Sequence, residues 1–135
     1  MSTPPAAVTT WHQIAASQDP DEVAALLDEL LDDDCVFVSP AVHAPQEGKA
    51  RTTAYLTAAW SVLGPTLTYA EEWYADSSAV LEFTAQVDGK DVHGVDMLRW
   101  GADGRLTSFT VMVRPIRGLE AVVEQMGKTL TGSGS

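Results

Sequence analysis

The sequence has 135 residues, 45% hydrophobic and 20% charged, which is one globular domain's worth of chain and not a disordered composition. Its 8 Lys+Arg against 19 Asp+Glu give a formal net charge of −11, which weighs against nucleic acid and anionic membrane surfaces, both held by clustered cations. The single cysteine, Cys35, excludes an internal disulfide and points to a reducing, cytoplasmic setting.

The first ten residues, MSTPPAAVTT, lack the charged and apolar regions of a secretory signal, and no run is apolar enough for a membrane helix. Residues 1–10 are expected to be a flexible segment, 11–130 the folded domain, and 131–135 a Gly/Ser tail. Trp11 to Gln18 predicts a short helix with Thr10 as its cap. Asp19 then caps a second helix that begins at Pro20, with Val23, Leu26, Leu27, Leu30 and Leu31 as its apolar stripe. Asp32-Asp33-Asp34 sits badly at a helix C-terminus, where the dipole disfavours anions, so the helix should stop before it and leave the acids solvated. Cys35 to Val38 predicts a strand, and Ala41 to Gly48 a loop containing His43.

A third helix, striped by Tyr55, Leu56, Ala59, Trp60 and Leu63, ends at Gly64-Pro65. The period then changes. Leu67–Tyr74, Ala79–Val87, Val92–Trp100 and Leu106–Val113 are strand candidates separated by Asp/Gly/Ser turns. Leu81, Phe83, Ala85 and Val87 alternate with Glu82, Thr84 and Gln86, so one sheet face should be buried. Leu119, Val122, Val123, Met126 and Leu130 mark a closing helix. Helices gathered before a mostly antiparallel meander indicate α+β. A curved sheet wrapped around the N-terminal helices would form a cone with an interior pocket.

Asp96 carries the most chemical weight. Its neighbours Val95, Met97 and Leu98 are apolar, and it shares a strand face with Gly94 and Leu98. An acid buried there loses hydration, so its pKa should rise; it can then take a proton from carbon or donate to a developing oxyanion. The alternative is a structural aspartate hydrogen-bonded to the loop around His43 or to a helix end. His43, in a loop near the expected mouth of the cone, is the second catalytic candidate, as a proton shuttle or orienting group. Trp11, Tyr55, Trp60, Phe83, Phe109 and Val111 are candidates to line a pocket for a flat apolar ligand, Tyr55 also needing a polar partner. His93 should face away from Asp96, and His12 should be exposed. The histidines show no HxH or HExxH spacing, and no phosphate loop or nucleophile elbow appears, so neither a metal nor another cofactor is expected.

The order of elements, with Asp33 to Pro40, Gly48, Gly94 to Trp100, Asp103 to Leu106 and Val111 to Pro115, resembles the nuclear transport factor 2-like superfamily, SnoaL-like branch. Ketosteroid isomerases, polyketide cyclases and limonene epoxide hydrolases share that superfamily. The resemblance implies an oxyanion-hole aspartic acid at Asp96. It places the isomerase's general base at Ser39, which would then line the pocket, and its oxyanion tyrosine near Ala15; neither residue offers the needed chemistry. An epoxide hydrolase would need an arginine where Gly94 stands. The sequence therefore supports a cofactor-free isomerase, cyclase or lyase acting by acid–base chemistry on a small hydrophobic carbonyl compound. A non-catalytic protein binding a small hydrophobic ligand is the alternative. A homodimer packed through the outer sheet faces is the expected assembly, and those faces could equally serve another protein partner.

Overall fold

A computed structural model describes residues 3–132. In chain order the elements are α1 (Ala6–Ala16), α2 (Pro20–Leu30), β1 (Leu31–Val38), β2 (Gln46–Glu47), α3 (Lys49–Leu63), β3 (Thr68–Tyr74), β4 (Ser78–Val87), β5 (Lys90–Trp100), β6 (Leu106–Arg114) and α4 (Ile116–Gly132). The strands form one open, curved sheet in the order β2-β1-β6-β5-β4-β3. Every pairing is antiparallel except β1 with β6. The helices cover one face and the C-terminal helix closes it, so the architecture is α+β, with a mixed sheet.

Local chemistry explains most of the boundaries. The Asp19 carboxylate accepts the Asp21 N–H at 2.9 Å, Pro20 fills the first helical position, and Asp21 and Glu22 face the positive end of the α2 dipole. On β4 and β5 the alternation is strict: Leu81, Phe83, Val92, Leu98 and Asp96 turn inward, while Glu82, His93 and Met97 turn outward. Gly94 is the one inner position on β5 that needs to be glycine. A Cβ there would lie 2.7 Å from the Phe83 ring and 2.4 Å from the Met112 carbonyl oxygen, so the ring approaches the strand this closely only because that side chain is missing.

Several boundaries differ from the sequence expectation. Helix α1 starts at Ala6, not Trp11, with Pro5 as its N-cap; the segment expected to be flexible is helical from residue 6 and buries Ala7 and Val8. The tail expectation fails for residues 131 and 132, which complete α4, and lies outside the described residues for 133–135, as it does for residues 1–2. The aspartate run is not a helix end. Leu31 turns extended and begins β1, and the span Leu31–Val36 faces only Leu106–Ser108 on β6, so the acids bulge out of the ladder. There the Asp34 N–H donates to the Asp32 carboxylate at 3.0 Å. The loop after β1 also contains a short strand, β2, that pairs with Val36 and Phe37.

A second bulge matters more for the site. On β3, Tyr69 faces Phe83 but Glu72 faces Leu81, so β3 holds one residue more than β4 between those pairs. That residue resets the alternation. Tyr69 and Glu72, an odd number of positions apart, both turn toward the helices, while Ala70, Glu71 and Trp73 are exposed.

Candidate active site

The inner sheet face and the helices enclose a cavity of about 40 Å³. Its wall is almost wholly apolar: Trp11 from α1, Phe37 from β1, Trp60 from α3, Phe109 and Val111 from β6, Met126 from α4. The one carboxyl group in the lining is Asp96, and the one phenol is Tyr69.

Asp96 is 5% exposed. Its ladder partners are Leu81 and Val111, and its same-face neighbours along β5 are Gly94 and Leu98, so none of its immediate neighbours on β4, β5 and β6 is polar. Among the described residues it forms no ion pair. Its partners are neutral donors instead. The Tyr69 hydroxyl donates to Asp96 Oδ2 at 2.6 Å, and the Trp11 indole N–H donates to the Tyr69 oxygen at 2.6 Å. Three elements meet there: α1, β3 and β5. Pairing with the inward Phe83 aims Tyr69 at them, and the bulge after it turns Glu72 to the same face.

The electrostatic result follows from that composition. Burial pushes the Asp96 carboxyl from its ordinary 3.8 up to about 7, and the hydrogen bonds from Tyr69 and Trp11 hold it from rising further. Tyr69 is pushed well above the ordinary phenol value, first by burial and then by the adjacent Asp96 carboxyl, so it remains a donor. An acid titrating near neutrality can both take up and give back a proton at working pH, which is the property general acid–base catalysis needs.

Beside this chain, nearer the surface, lies a second acidic cluster. His12 Nε2 and Glu72 Oε2 are 2.6 Å apart, and the Tyr74 hydroxyl donates to Glu72 Oε1 at 2.5 Å. The His12 ring lies 5.7 Å from the Tyr69 ring. The expectation that His12 is simply exposed is therefore corrected: it is half-buried and ties α1 to β3, one residue along from the Trp11–Tyr69 bond. His93 does face away from Asp96, and meets Glu82 at 2.7 Å and Arg114 at 3.3 Å.

Of the residues singled out in the sequence, Asp96, Trp11, Trp60, Phe109 and Val111 come together in the cavity wall. The others do not. His43 is exposed in the loop before β2; Pro40 reaches the wall from that loop, and His43 does not. Tyr55 stacks on Phe37 at 5.3 Å and is not part of the wall. Phe83 is core, packed edge-on behind Tyr69 at 6.3 Å. The Ser39 hydroxyl accepts the Ala41 N–H at 3.0 Å, which makes it a turn residue and not a wall residue. Tyr69 is hidden in the sequence because a period-2 reading of β3 groups it with Glu71 and Trp73. The available signal was the Glu71-Glu72 pair in a half-buried strand, since an unbroken alternation gives no role to an inward acid beside an outward one.

The SnoaL-like domain family matches residues 8–109 of the sequence. The chain belongs to the SnoaL-like family. Among solved structures, a steroid delta-isomerase from Pseudomonas aeruginosa superposes with a TM-score of 0.88 at 34% identity, over 98% of this chain and 98% of its own. An uncharacterised bacterial protein with a cystatin-like fold from Silicibacter pomeroyi DSS-3 follows at TM-score 0.80 and 23% identity, over 90% of this chain and 83% of its own. A putative SnoaL-like polyketide cyclase from Jannaschia sp. CCS1 shares the fold at TM-score 0.67 and 12% identity, over 90% of this chain and 96% of its own. No curated protein sequence gives a significant match. No helix among the described residues of this SnoaL-like chain is long and apolar enough to cross a membrane.

Proposed function

We propose that this SnoaL-like protein is a cofactor-free enzyme that moves a proton at a carbon next to a carbonyl group, in a small hydrophobic substrate, with Asp96 as the base that takes the proton and returns it. The observation that carries this reading is a carboxyl group in an apolar cavity, partnered only by neutral donors and titrating near pH 7. Both donors stabilise the ionised form, which favours the role of base over that of a permanently protonated oxyanion donor. Asp96 removes the α-proton, the electron pair of the C–H bond passes into the enolate, and the protonated carboxyl delivers the same proton to another carbon. That step is common to isomerases, to cyclases that join an enolate to a second carbonyl, and to lyases that expel a leaving group from it. The steroid delta-isomerase similarity favours the isomerase outcome. Tyr69 and Trp11 act as positioning residues that hold the carboxyl and keep its pKa near neutrality.

The test is turnover of an uncharged β,γ-unsaturated ring ketone, followed by the ultraviolet absorbance of the conjugated product. The rate should rise with pH up to about 7 and then level, and Asp96→Asn should lower kcat by about a hundredfold or more while the ligand still binds. Unchanged turnover in the variant removes Asp96 from the chemistry. Binding by the wild-type protein without turnover favours a ligand-binding protein of the same fold.

We further infer a homodimer. On the outer sheet face, Val80 pairs with Met97, and Val95 with Met112; Trp73 stands beside Val80, and together they form a continuous apolar stripe. Trp73 is 51% and Met112 55% exposed. A stripe of that size on one face suits a second copy of the same face. Met97→Lys should convert a dimer to monomer in sedimentation experiments at micromolar concentration; a wild-type monomer at the same concentration contradicts this assembly.

A further inference from the structure

A free space of 40 Å³ admits a few water molecules, against the roughly 300–1,000 Å³ of sites that bind organic ligands. A substrate therefore enters only if part of the wall moves. Phe37 and Phe109 are fully buried core residues, and displacing either would open the core itself. Trp60 is different. Its indole is half-buried and makes one hydrogen bond, from Nε1 to the Ser17 carbonyl oxygen at 2.9 Å.

On the far side of that indole lies a groove of about 460 Å³, between the end of α1 and the end of α3. The groove and the cavity share Ala15, Trp60, Gly64 and Leu67, so Trp60 is a partition with space on both sides. Gly64 adds no side chain to the passage, and a Cβ there would lie 2.4 Å from the Trp60 carbonyl oxygen. None of the groove residues is charged, in a chain of net charge −11. Gln18 and Ser61 line it with exposed side chains that form no hydrogen bond among the described residues, and are free to bind a ligand.

We propose that cavity and groove are two halves of one ligand site, divided by a movable Trp60 indole, and that the substrate is an uncharged two-part molecule. Its apolar, carbonyl-bearing end lies in the cavity against Asp96, and a tail carrying hydroxyl or ether oxygens lies along Gln18 and Ser61. This rests on the reading of the Asp96 cavity as a site for a carbonyl compound. Turning the indole breaks one hydrogen bond, lifts the ring off its core contacts, and joins the cavity to a space that already exists. An anionic tail is disfavoured because the groove offers no lysine or arginine.

The experiment compares two probes by calorimetry on the wild-type protein. One is 2-naphthol, a two-ring phenol that offers Asp96 the hydroxyl of an enol; the other is its 6-(3-hydroxypropoxy) derivative. The tail should tighten binding about tenfold. The double variant Gln18→Ala, Ser61→Ala, at two exposed positions, should remove that gain and leave 2-naphthol affinity unchanged. Trp60→Phe, which keeps a ring but lacks the N–H, should speed association of both probes. Binding of 2-naphthol with no gain from the tail overturns the two-part site alone. Binding of neither probe overturns it together with the carbonyl reading beneath it.

Discussion

Two carboxylates lie on the helix-facing side of this sheet, each bonded to a tyrosine, and they differ in their other partners. Glu72, at the rim, meets the His12 imidazole at 2.6 Å as well as the Tyr74 hydroxyl. Asp96, in the cavity wall, meets neutral donors among the described residues, the Tyr69 hydroxyl backed by the Trp11 indole. A basic partner fixes a carboxylate in place and links two elements of the fold. Neutral donors offset only part of the cost of desolvation, so the proton on Asp96 stays exchangeable near pH 7. The kind of partner, and not burial alone, decides which of the two acids holds its proton near neutrality.

The largest expected consequence is thermodynamic. Because the folded pKa of Asp96 is about 7 and its ordinary value 3.8, the unfolded chain ionises first as pH rises. The contribution of Asp96 to stability is therefore greatest below about pH 4, falls between about 4 and 7, and levels above, where folding bears the full cost of an ionised buried carboxylate. Asp96→Asn removes that dependence and should stabilise the protein by up to about 4 kcal/mol at pH 8, with little change at pH 3.5. Denaturant unfolding at both pH values checks it, and a variant less stable than wild type at pH 8 would place Asp96 with Glu72 as a structural acid. A smaller effect is expected at the rim. Glu72→Gln keeps an acceptor for Tyr74 but loses the carboxylate contact to His12, costing about 1 kcal/mol of stability while turnover stays within about threefold. A large loss of turnover would show that the two acids work as one unit.

The same two regions differ in how far the sequence discloses them. Asp96 was legible because β5 alternates without interruption, so an acid in step with Gly94 and Leu98 has to face inward. The capped start of α2 and the turns between β3, β4, β5 and β6 were legible from local chemistry. Tyr69 and Glu72 were not, because the β3 bulge changes phase between them and nothing short of the paired strand fixes where a bulge falls. The aspartate run was misplaced for a related reason: Leu31 continues the helical stripe, yet its pairing with Leu106 on a distant strand draws it into β1. The start of α1 was hidden because Pro4 and Pro5 resemble a coil, although proline is compatible with the entry to a helix. His43 looked catalytic from its position between a strand and a helix, but its loop presents Pro40 to the cavity and leaves His43 outside.

The claim beneath both the catalytic and the stability arguments is the proton affinity of one side chain. It can be read directly from the Asp96 Cγ carbon shift in a pH titration of labelled protein, assigned by its disappearance in Asp96→Asn. A midpoint near 7 that moves upward by about one unit in Tyr69→Phe, where a donor to the carboxylate is lost, is the expected result. A midpoint near the ordinary aspartate value, unaltered by loss of the Tyr69 hydroxyl, contradicts the account.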